Sequence, residues 1–102
     1  MSVTVTWADA VAIVHAARVN LRHLKTKDHY KQLSENLARL EYMSAGAAKT
    51  ALEAASQTIH TAIETCHTED ATLETAIDAI TTDDLTALEA KLVEILNSTA
   101  EY

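Results

Sequence analysis

Across 102 residues this chain has no proline and a single glycine, Gly46. Turns with positive φ and rigid corners favour those two residue types, so the composition argues strongly against a loop-rich or all-β fold. Helix remains, favoured by abundant Ala, Leu, Glu and Lys. The fourteen threonines do not favour helix interiors, and several stand where an N-cap belongs. The reading is an all-α chain, an antiparallel bundle of four to five helices with short connections. It forms a single domain over residues 1–102, with residues 1–6 as an N-terminal arm.

Apolar spacing divides the chain. Thr6 followed by Asp9 reads as a capping box, and Trp7, Val11, Val14, Leu21 and Leu24 then recur at helical spacing. From Leu24 to Leu33 is nine residues, half a turn out of phase, which predicts a turn near Thr26–Asp28. A second helix then carries Tyr30, Leu33, Leu37 and Leu40 and ends by Gly46 in the left-handed C′ position. A third carries Leu52, Ala55, Ile59, Ile63 and Cys66. Leu73, Ile77 and Ile80 stay in phase with it, so residues 47–80 form either one helix or two. The echo between "TED" at 68–70 and "TDD" at 82–84 favours a break near Thr68, each Thr acting as a cap before acids in a first turn. The last helix carries Leu85, Leu88, Leu92, Ile95 and Leu96.

Nineteen residues are alanine and none is phenylalanine, so little area is buried per side chain and the core is thin. Association between chains is the expected remedy. The one cysteine, Cys66, rules out an internal disulfide and reads as a small buried side chain. No apolar run spans a membrane, and the start "MSVTVTWADAVAIVH" lacks a basic leader, so a cytoplasmic protein is expected, with leaderless export as the alternative.

Charge is divided unevenly along the chain. Residues 1–49 hold seven Lys/Arg and four Asp/Glu, whereas residues 50–102 hold only Lys91 against eleven acids. The densest cationic stretch, "RVNLRHLKTKDHYK", contains Arg18, Arg22, Lys25, Lys27 and Lys31. These five are the candidate partner-binding residues, meeting carboxylates in the same molecule, in another copy or on an acidic protein. A net charge of −7 and a single stacking ring in the cluster, Tyr30, speak against nucleic acid.

His60, Glu64 and His67 lie at i, i+4 and i+7, one helix face, and are the candidate ligands for zinc or another transition metal. The alternative is a solvated polar stripe with no cofactor at all. "ETCH", a Glu-x-x-His, resembles half of a di-iron carboxylate site, although the chain has no second copy. Arg18 to His23 and Arg22 to His29 fit Arg-x4-His and Arg-x6-His, and so resemble the motif of HEPN-type ribonucleases. That likeness covers four residues and implies RNA cleavage. His15 with Arg18 is similar to the His-x-x-Lys-Gly of histidine phosphotransfer bundles, with Val19 in place of the glycine. Length, acidity and a mid-chain Gly46 look like the small leaderless secreted helical hairpins of the Trp-x-Gly family, with Met43-Ser44-Ala45-Gly46 at the motif position and no Trp. No phosphate-binding glycine loop, nucleophile elbow or Ser–His–Asp arrangement is visible. The functional expectation is therefore a non-enzymatic, self-associating interaction or regulatory module, with the metal-binding bundle, the ribonuclease and the secreted protein as alternatives.

Overall fold

The computed structural model describes residues 5–102. Three helices account for most of them: α1 Trp7–Leu40, α2 Ala47–Asp78 and α3 Leu85–Thr99, with no strand among the described residues. The count is three rather than four to five, because two expected turns do not exist. Of the expected arm, residues 1–4 lie outside the described residues.

α1 starts as expected. The Asp9 backbone N–H donates to Thr6 Oγ1 at 3.1 Å and the Thr6 N–H donates to Asp9 Oδ2 at 3.4 Å, a reciprocal cap. It then runs through Thr26–Asp28 without a break. The half-turn phase slip is real, but polar side chains carry the inner seam across it. Val14, Arg18, Arg22 and Thr26 follow at four-residue steps, and His29, Leu33, Asn36 and Leu40 resume alternating steps of four and three. Such a run of fours is a stutter, which changes the winding of a helix pair locally without ending either helix. Thr26 is buried there, its hydroxyl donating to the Arg22 carbonyl at 2.9 Å.

α2 has no break near Thr68 either. Its inner seam, Leu52, Ser56, Ile59, Ile63, Cys66, Asp70, Leu73 and Ile77, alternates steps of four and three throughout. Thr68 is not a cap; its hydroxyl donates to the Glu64 carbonyl at 3.1 Å. It belongs to a row on the opposite face, Thr58, Thr61, Thr65, Thr68, Thr72 and Thr75, in which every hydroxyl donates to the carbonyl four residues back. This is the job the threonines do: the side chain satisfies itself on its own helix, so it is tolerated mid-helix.

The turn after residue 80 is present. Asp83 takes a positive φ of 70°, which Asp tolerates, and Asp84 caps α3 by accepting from the Ala87 N–H at 3.1 Å. The cap is Asp84 and not Thr82. Gly46 also moves: it stands at the N-cap of α2, at φ 159° and ψ −178°, instead of the C′ of the preceding helix. Two long helices are joined through the segment ending at Gly46, and the shorter α3 follows them.

The pairs that join α1 to α2 fall on α2 as they rise on α1: His15 with Asp78, Lys25 with Glu69, Tyr30 with His67. The two helices therefore run alongside in opposite directions. α3 packs on α1 near its start, where Val14, Leu21, Ile77, Leu88 and Ile95 form the main core beneath Trp7, Val11, Leu73 and Leu92. The far half of the hairpin has two helices only, and the molecule is long, 65 × 28 × 20 Å. Its radius of gyration of 19.1 Å exceeds the roughly 13 Å of a compact chain this size. Cys66 is half-buried rather than enclosed.

Candidate functional site

The cationic stretch is turned largely inward. Arg18 and Arg22 sit a turn apart on the stuttered part of the seam and converge on Asp70, opposite them on α2. Arg18 Nη1 donates to Asp70 Oδ2 at 2.6 Å and Arg22 Nη1 donates to the same oxygen at 2.9 Å. The Arg18 side chain is 9% exposed and that of Asp70 7%, while Arg22 at 34% still reaches solvent. Charge-assisted bonds of this kind are the strong class, and burial removes the competing water. Glu74 lies 3.8 Å from Arg18, and Lys25 pairs with Glu69 at 3.2 Å on the half-exposed rim. Asp70 Oδ1 has no hydrogen-bond partner among the described residues, so Oδ2 carries both arginine bonds of the junction.

His15 extends this network. Arg18 Nε–H donates to His15 Nδ1 at 3.1 Å. A guanidinium cannot accept, so Nδ1 is the acceptor and the proton rides on Nε2, which donates to Asp78 Oδ1 at 2.8 Å. Both ring nitrogens of the residue resembling a phosphotransfer histidine are thereby engaged.

Of the five candidate partner-binding residues, Arg18, Arg22 and Lys25 thus hold α1 to α2. Lys27 and Lys31 are exposed and make no ion pair among the described residues. The chain's own α2 supplies the carboxylates that the first three meet. Sequence reasoning missed Asp70, although a signal exists: an acid stands in register on the apolar spacing between Cys66 and Leu73.

No protein-family model, curated protein or solved structure matches this chain.

The remaining candidates are placed as follows. His60 Nε2 meets Glu64 at 2.8 Å on an exposed face, while His67 Nε2 shares a 2.9 Å hydrogen bond with Tyr30 Oη on α1. Among the described residues, no group of three or more His, Cys, Asp or Glu converges as a metal shell would. Arg18 and His23 are five residues apart on one continuous helix, which rotates them roughly 140° from each other. Arg22 and His29 share a face, with Arg22 bound to Asp70. No described helix is long and apolar enough to cross a membrane.

Two open grooves lie between α1 and α2. One, of about 560 Å³, is lined by Val19, Arg22, His23, Thr26, Tyr30 and His67. The other, of about 320 Å³, lies further along and is lined by Leu33, Leu37 and Leu40 against Glu53, Gln57 and His60.

Proposed function

We propose that this chain is a non-enzymatic helical interaction module that self-associates, its long hairpin serving as one half of an antiparallel bundle. The observation that carries the reading is the balance of apolar surface. Among the described residues six hydrophobic side chains are buried, while large ones such as Ile13, Val19, Leu37, Leu85, Val93 and Leu96 stand between 40% and 63% exposed. Exposed apolar side chains are ordinary when scattered, but here they outweigh a core that covers one end of the molecule only. A second layer over the hairpin, where Val19, Tyr30 and Leu37 stand 40–56% exposed, supplies part of what the single chain lacks.

Binding of an outside partner through charged faces is the other part of this reading. With Arg18, Arg22 and Lys25 engaged internally, Lys27 and Lys31 are the two of the five candidate cations left to steer an acidic partner. Light scattering across concentration and salt tests the self-association. The expected result is a mass above the 11.1 kDa of one chain. A mass that stays at one chain under every condition refutes it.

A further inference from the structure

The two grooves lie on one face, and that face is opposite α3. A helix turns about 100° per residue, so Ala10, Val14, Ala17 and Leu21 lie on one side of the α1 inner seam. These are the residues that meet α3. Val19, Tyr30, Leu33 and Leu37 lie on the other side, lining the grooves. One face of the hairpin is capped at one end by α3. The other face is not capped by any of the described residues, and it carries Val19, Tyr30 and Leu37 at 40%, 48% and 56% exposure.

We propose that this groove face is the docking surface for a second copy of the chain, two hairpins meeting face to face about a two-fold axis with each α3 on the outside. The assignment rests on the self-association proposed above and names its surface. The area suffices: α1 is about 50 Å long and two helices are about 20 Å wide, roughly 1,000 Å² of face, against the ~800 Å² per partner of a stable interface. The charges permit it as well. The groove side of α1 carries His23 and the solvent-reaching part of Arg22, 34% exposed beyond its bond to Asp70, and no acid, whereas Glu53 lines the groove from α2 and Glu64, Glu74 and Asp78 follow on the same side by helical position. A two-fold axis parallel to the helices sets α1 of each copy over α2 of the other, so unlike walls meet. Pairing α2 on α2 would oppose acids, which selects against the alternative register.

The test is sedimentation or light scattering on three proteins of the full chain: wild type, Tyr30→Glu/Leu37→Glu, and Leu96→Glu as a control on α3. All three substituted residues are exposed, so each variant keeps wild-type helix content by circular dichroism. Wild type and Leu96→Glu should show twice the 11.1 kDa chain mass. The groove variant should run as a single chain, its dissociation constant raised by at least about 100-fold because each dimer would bury four unpaired carboxylates. Wild type at one chain mass overturns the self-association reading itself. A groove variant that still doubles, or a Leu96→Glu that dissociates in its place, leaves self-association standing and overturns this surface.

Discussion

Replacing Asp70 by Ala should be the most damaging single change at the hairpin junction. Asp70 is the shared acceptor for Arg18 at 2.6 Å and Arg22 at 2.9 Å, and both it and Arg18 are shielded from water. Removing it leaves the Arg18 guanidinium buried without its counter-charge, a defect that costs about 3–5 kcal/mol. The lower end applies, because Arg22 can turn to solvent and the exposed Glu74, 3.8 Å from Arg18, can close on it. At roughly 4–8 °C per kcal/mol for a domain of this size, a loss of about 3 kcal/mol lowers the melting temperature by about 12–24 °C. Thermal melts followed by circular dichroism at one fixed chain concentration give the value, since association makes the midpoint concentration-dependent. Two comparisons isolate the cause. Lys25→Ala removes the exposed pair with Glu69 and should cost under about 1 kcal/mol. Arg18→Met with Asp70→Leu removes both buried charges and should recover most of the stability that Asp70→Ala alone loses. If Asp70→Ala and Lys25→Ala melt within a degree or two of each other, the buried junction does not hold the hairpin together.

Thr6→Ala removes an N-cap hydroxyl and should cost about 1 kcal/mol, read as a small drop in melting temperature with intact helix content. Ile77, 1% exposed at the centre of the three-helix core, should lose about 3–4 kcal/mol on substitution by Ala, whereas the exposed Leu96 should lose under about 0.5 kcal/mol. Titration calorimetry with zinc should give no heat for wild type, since His67 is engaged by Tyr30 across the hairpin and His60 by its neighbour Glu64. A heat signal that His60→Ala abolishes would assign the metal site to His60, Glu64 and His67. Hydrogen exchange should be graded along the hairpin when the chain is dilute, with amides near Leu37 and Leu52 exchanging faster than those near Leu21 and Ile77, because α3 braces only the latter end.

Helix content, the capping box at Thr6, the turn after Ile80 and the apolar face of α3 were legible because each is written in local chemistry: side-chain oxygens at cap spacing and leucines at helical period. The continuity of α1 was not. Its seam passes through Arg18, Thr26 and Asn36, all buried, and a count of apolar residues reads that passage as a gap. Thr26 is satisfied locally by the Arg22 carbonyl, but the partner that makes Arg18 acceptable inside, Asp70, lies 52 positions away in sequence. α2 was misread at Thr68 for a different reason. A threonine before acids looks alike at a helix start and in a helix interior, and only the direction of its hydroxyl tells them apart. The same distance hid the fate of the cations: the pattern shows five charges close together, but not that three of them face an acidic helix of the same molecule.

The threonine row on α2 has a mechanical side. A hydroxyl that bonds back to a carbonyl loads an acceptor already serving the helix ladder, and each such load tilts the local axis slightly. Scattered around a cylinder, those tilts cancel. From Thr58 to Thr75 all six share one flank, the flank turned from α1, so they add. Ser56 alone makes the same bond on the inner flank, so the expected sum is a shallow arc of α2, convex outward, the sense in which long helices curve round what they pack against. Six side chains chosen for their hydroxyls would then bias the shape of the helix before any partner touches it.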